Sequence, residues 1–183
     1  MKYLNITISF IVLILFSVSA FADSPEQMVG KWAYIEKKDE FTDKPFYTVV
    51  TESKEDKALL LIQCGNSENN KILTISFKPN KFISGNSDFQ YRVDKNPAIT
   101  TNNITINDSM ANFLIKPINK KDGTFINQFT RRYNDDAIEL IKQMSNGSSV
   151  IMSVDGGKAR FSLDGAAVQI KKVTDQCDSL FKK

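Results

Sequence analysis

Through the middle of the chain apolar and polar residues trade places one by one, and an extended backbone with that period buries one face and wets the other. Leu73, Ile75 and Phe77 alternate with Thr74, Ser76 and Lys78. Phe89, Tyr91 and Val93 alternate with Gln90, Arg92 and Asp94, Ile104 and Ile106 with Asn103, Thr105 and Asn107, and Ala159, Phe161 and Leu163 with Lys158, Arg160 and Ser162. The pattern predicts half-exposed antiparallel strands. Further strands are predicted over 32–36, 46–53, 112–116 and 150–155, and over 58–64, where the run is more continuously apolar. Turn chemistry separates them at Gly65-Asn66, Ser84-Gly85-Asn86, Asn96-Pro97 and Asp122-Gly123. Gly156-Gly157 joins 150–155 to 158–163 as a two-residue hairpin.

Two stretches change to a helical period. In the first, Asn134 is placed to cap, Asp135 and Asp136 suit the positive end of a helix, Leu140, Ile141 and Met144 form an inward stripe, and Asn146-Gly147 stops it. In the second, after the Asp164-Gly165 turn, Ala166, Ile170, Val173, Cys177 and Leu180 recur at intervals of four and three and share one face. Residues 119–130 are polar apart from Phe125, Ile126 and Phe129 and are expected to form a loop. The fold class that follows is mainly β, an antiparallel sandwich or curled sheet with two packed helices.

The N-terminus says where such a domain works. Lys2 is followed by an apolar run from Ile6 to Val18 and by Ala20-Phe21-Ala22, after which the chain turns polar at Asp23-Ser24-Pro25-Glu26. That is the layout of a cleavable export signal over 1–22, leaving one domain over 23–183. A retained anchor would need about 20 apolar residues, and no Cys lies near the cut to carry a lipid. Of the 24 basic residues only Lys2 falls in the leader, against 21 acidic residues outside it. Near-balanced charge without interleaved aromatics excludes a nucleic-acid partner.

Export gives the two cysteines their meaning. Cys64 and Cys177 are the only pair, and in an oxidising compartment they read as one disulfide tying the late helix to an early strand. A bridge closing so long a loop is worth roughly 4–5 kcal/mol in the chain-entropy account and about 2–4 kcal/mol as commonly delivered.

Catalytic motifs are missing. With no histidine there is no Ser-His-Asp triad, no Cys-His pair and no His-ligated metal, and neither Gly-x-Ser-x-Gly nor a phosphate-cradling loop occurs. No cofactor or metal is expected. Carboxylates remain for acid–base work: Glu40, Asp43, Asp94, Asp135 and Asp136, two of which would have to face a cleft.

Several features recur in one order: Trp32-x-Tyr34, Glu40-Phe41-Thr42-Asp43, Ala58-Leu59-Leu60-Leu61-Ile62-Gln63-Cys64, Tyr91-Arg92-Val93-Asp94, the helix through Ala137 to Met144, and Phe161-Ser162-Leu163-Asp164-Gly165-Ala166 before the helix that closes on Cys177. This order resembles the TagO/VasI group of periplasmic proteins associated with type VI secretion, and more distantly the invasion-associated locus B proteins. The resemblance implies a non-enzymatic accessory protein, periplasmic or secreted, that meets a protein partner of the envelope or secretion apparatus, or one associated with peptidoglycan.

The residues offered for a binding surface are Trp32, Arg92, Asp94, Arg131 and Arg132. Each has a structural alternative. Trp32 suits a buried anchor as well as a stacking platform, and Arg92 and Asp94, two apart on one wet face, suit a cross-strand ion network worth about 0–1 kcal/mol. Three functions are thus open: a docking module, an inhibitor or immunity protein plugging a hydrolase with the 119–130 segment, and a carboxylate hydrolase using Glu40 or Asp43.

Overall fold

In the computed structural model, residues 27–67, 70–83, 88–107, 109–116 and 125–180 are described, apart from the side chains of Ser67, Ser179 and residues 125–133. The leader over 1–22, the Ser84-Gly85-Asn86 and Asp122-Gly123 turns and residues 119–124 lie outside them. The strands are β1 (Gln27–Val29), β2 (Trp32–Lys38), β3 (Pro45–Glu52), β4 (Leu59–Ser67), β5 (Asn70–Lys78), β6 (Phe89–Val93), β7 (Ile99–Thr101), β8 (Thr105–Asn107) and β9 (Met110–Ile115). Then follow helix α1 (Phe125–Asn146), strands β10 (Ser149–Val154) and β11 (Gly157–Ser162), helix α2 (Ala166–Gln176) and a short 3-10 turn, Asp178–Leu180.

The strands form two antiparallel sheets, one of seven in the order β1-β2-β3-β4-β5-β9-β8 and one of four in the order β11-β10-β6-β7. Their inner faces meet through aromatic rings. Phe77 of β5 stands edge-on to Phe89 and Phe161, and Phe113 of β9 edge-on to Phe89 at 4.9 Å and to Tyr91, the arrangement that ring quadrupoles favour. Leu60, Ile62, Leu73, Ile75, Val150 and Met152 complete a core with almost no exposed surface. The alternation read from the sequence is the origin of this core.

Helix α2 lies on the same inner face. Ala166, Ile170 and Val173 are buried, the helix ends one residue before Cys177, and Leu180 falls in the 3-10 turn. The Cys64–Cys177 disulfide, Cα to Cα 5.9 Å across 113 residues of sequence, joins this end of the helix to β4. The predicted pairing is present.

Three local expectations need correction. Helix α1 begins at Phe125 rather than at Asn134, so residues 125–130 are helical and not loop. Asn134 sits mid-helix, buried, where its amide donates to the Lys116 carbonyl at 2.8 Å and its oxygen accepts from the Lys116 amide at 3.1 Å. A polar side chain that resembled a cap is instead the clasp between α1 and the end of β9. Gly65-Asn66 is no turn: β4 runs through it, with Gly65 opposite Ile72 and Asn66 opposite Lys71. The last hairpin turns on Asp155-Gly156, with Val154 paired to Gly157. Both turn residues have positive φ, 50° and 70°, as a type I′ turn demands.

Candidate functional site

An antiparallel sheet that wets one face should alternate apolar-in and polar-out. Strand β4 does not. Leu60, Ile62 and Cys64 point into the core, and Leu59 and Leu61 on the other face are only half-buried. The register extends this across the sheet. Leu61 stands beside Val50 on β3 and Ser76 on β5, Val50 pairs with Ala33, and Ala33 pairs with Met28, which is 58% exposed. The neighbouring row runs Ile35, Thr48, Gln63, Thr74, Leu114. Neither row contains a charge. Lys37, Glu52 and Lys78 stand only at the strand ends. The polar members of the rows are partly internally paired, Gln63 donating to Thr48 Oγ1 at 3.1 Å and Ser76 to Asn112 Oδ1 at 2.7 Å.

Both helices and the four-stranded sheet share the opposite, inner side. The outer face thus carries a charge-free band across five central strands, about 20 Å wide at the usual strand spacing, in which Ala33, Thr48 and Ser76 are buried and Ile35, Val50, Leu61 and Leu114 half-buried. Depletion of charge at the centre with charge at the rim is the composition of a protein–protein interface.

The other outward face, that of the four-stranded sheet, has the opposite chemistry. Gln90 and Arg92 of β6, Ser153 of β10, and Lys158 and Arg160 of β11 all project outward around half-buried Ile151. Two depressions of about 230 Å³ each adjoin there, both lined by Ile151 and Lys158.

The residues singled out in the sequence do not form one surface. Trp32 is fully buried, its Nε1 donating to the Ser162 carbonyl at 3.0 Å, so its ring is an anchor and offers nothing to a ligand. Arg92 is exposed on the four-stranded sheet. Asp94 makes no ion pair with it. Asp94 turns back at φ 50°, and its carboxylate accepts from the amide of Ser148 at 2.9 Å and from the amide and hydroxyl of Ser149 at 2.8 and 3.3 Å. The competing amides, unreadable from the strand pattern, replace the expected ion network. Those amides hold the Asp94 carboxyl below the usual range. Arg131 and Arg132 fall within α1, and their side chains are outside the described residues.

Glu40 and Asp43 both lie on the exposed turn between β2 and β3, beside Phe41, which is 96% exposed. Asp39 organises that turn by accepting from the Thr42 hydroxyl and amide and from the Phe41 amide, and the same contacts, the hydroxyl foremost, lower its pKa. Asp135 is exposed, and Asp136 accepts from Thr101 and Asn103 at 3.1 and 2.6 Å. Burial, helped by the charges of Asp136 and Glu139, pushes the Tyr91 hydroxyl up to about 12, so it stays protonated. Among the described residues no group of three or more Cys, Asp or Glu side chains is gathered as for a metal, and no helix is long and apolar enough to cross a membrane.

The chain matches no family model and no curated protein sequence. Among solved structures it is similar to invasion associated protein B from Bartonella henselae, with 10% sequence identity and a TM-score of 0.48 over 85% of this chain and 98% of that one.

Proposed function

We propose that this protein is a non-enzymatic docking protein of the Gram-negative envelope, periplasmic after loss of its leader, and that it works as an accessory of a secretion apparatus of the type VI class. One observation supports docking above all: the outward face of the seven-stranded sheet carries Ile35, Val50, Leu61 and Leu114 in rows without a single charge. Completing the burial of each such side chain is worth about 1.5–3 kcal/mol at most, and a few clustered anchors supply most of an interface's energy. The disulfide supports an oxidising compartment. The link to secretion rests on the ordered motifs of the sequence.

A photo-crosslinking residue at position 61, in the full chain exported by a Gram-negative host, tests the reading, with position 92 on the other face as the comparison. The expected result is a discrete adduct from position 61 that mass spectrometry identifies as an envelope secretion component, absent from position 92 and lost from a neighbouring crosslinking position when Leu61→Asp is introduced. An adduct with a cell-wall hydrolase would transfer the protein to the inhibitor class. Equal, diffuse labelling from both faces would refute docking through this sheet.

A further inference from the structure

The basic face of the four-stranded sheet has a pattern that solubility alone does not require. Arg92 and Arg160 flank Ile151 from the two neighbouring strands, because Ile151 is paired with both. Lys158 lies two residues from Arg160 on the same face. Beyond β11 stands the turn between β3 and β4, where Glu55 and Asp56 line one depression together with Lys158 and Arg160. That turn is held in place. Ser53 donates from its amide to the Ala58 carbonyl at 2.9 Å and from its hydroxyl to Asp56 at 3.2 Å.

The opposite charges have not collapsed onto one another. Among the described residues none of Arg92, Lys158 and Arg160 lies within ion-pair distance of a carboxylate, although Glu55 and Asp56 share a depression with two of them. Arg160 donates only a long bond, 3.5 Å, to Ser149 Oγ, and charges held apart across an open trough with an aliphatic floor leave Arg92, Lys158 and Glu55 for a ligand to satisfy. The trough crosses the strands from β6 to the turn, about 15 Å at a strand spacing of about 4.8 Å. An extended peptide spans that distance with four or five residues at about 3.4 Å each.

We propose that this trough binds a short extended peptide, its carboxylates toward Arg92 and Lys158 and its amine toward Glu55 and Asp56. Arginine forks suit carboxylates in paired hydrogen bonds. Gln90 and Ser153, which line the Arg92 end, can donate to the same oxygens or pair with the peptide backbone. Ile151 supplies an apolar floor for a small side chain. The site lies on the face opposite the charge-free band and does not depend on docking there.

Calorimetric titration of the full chain with the tetrapeptide Lys-Ala-Ala-Glu, free at both ends, tests the assignment. Saturable binding is expected, weakened tenfold or more when the Lys is replaced by N-acetyl-norleucine, and equally when the Glu end is replaced by Gln amide. Glu55→Gln should weaken the parent peptide and leave the acetyl-norleucine form unchanged, and Arg92→Gln should act in the same selective way on the carboxylate end. Both substitutions alter exposed side chains, so far-ultraviolet circular dichroism should match the parent. In amide NMR spectra the peptide should shift Gln90, Ser153 and Lys158. No saturable binding, shifts confined to other elements, or tripolyphosphate binding as tightly as the peptide while Glu55→Gln has no effect would each overturn the proposal.

Discussion

Trp32 Nε1 and the carbonyl of Ser162 are hydrogen-bonded at 3.0 Å although 130 residues separate them. The bond ties the first long strand of one sheet to the last strand of the other. Beside it the Lys31 amide donates to the Asp164 carbonyl at 3.0 Å, so the two sheets are stitched at one corner by consecutive residues. Replacing Trp32 by Phe removes the indole donor and leaves the carbonyl of Ser162 unpaired beside the core, at a cost of about 1–3 kcal/mol. Replacing it by Ala adds a cavity and raises the cost to about 3–5 kcal/mol. Urea unfolding of the two variants should separate them in that order.

The disulfide contributes through the unfolded chain. Cys64→Ala with Cys177→Ala should lower the unfolding free energy by about 2–4 kcal/mol, and the unsubstituted protein in reductant should fall to a similar midpoint. Guanidinium unfolding with and without reductant measures both, and a midpoint indifferent to reductant would contradict the account.

Asp94 should make stability depend on pH in the acid range. Its folded pKa lies below the ordinary carboxylate value because the amides of Ser148 and Ser149 bind the ionised form. The contribution is thus complete above the unfolded value of about 4 and is lost as pH falls through the lower folded value. Asp94→Asn keeps the shape and tolerates the positive φ. Melting temperatures of the two proteins should differ near neutrality and converge below about pH 3.

Gly165 precedes α2 with φ +84°, and a Cβ built there would stand 1.9 Å from the Val29 carbonyl oxygen. Gly165→Ala therefore meets a backbone clash on top of the left-handed penalty of about 1–2 kcal/mol. Gly65→Ala is the control. Its Cβ would meet only Phe46 Cβ at an ordinary 3.8 Å, and in a strand the change should be neutral or stabilising by about 0.5–1 kcal/mol. Thermal denaturation should show a lowered midpoint for Gly165→Ala and an unchanged or raised one for Gly65→Ala.

The parts of this fold that could be read in the sequence are those where one physical period dominates. Leu73 to Phe77 and Phe89 to Val93 could be placed because alternate residues meet the core, and the face of α2 could be placed because Ile170, Val173 and Cys177 are buried at helical intervals. β1 and β7 have three residues each, too few for any period to show. Asn134 misled because a buried clasp to β9 and an exposed cap use the same side-chain chemistry. The candidate docking face was half legible. The unbroken run Leu59-Leu60-Leu61-Ile62 marks a strand apolar on both faces, but whether helices would cover the second one depends on which side of the sheet the later elements pack. Met28 and Leu114 join that face only through register, which no local pattern carries.

Leu61 and Cys64 lie three positions apart on β4, one pointing out and one in, so the covalent bond under the sheet also fastens the strand that presents the leucine. Under the proposed docking, a partner on that strand would meet a platform with little slack to remove, and the entropic cost of association would fall accordingly. With Cys64 and Cys177 both buried, that stiffness stays beyond the reach of a reductant until the fold opens.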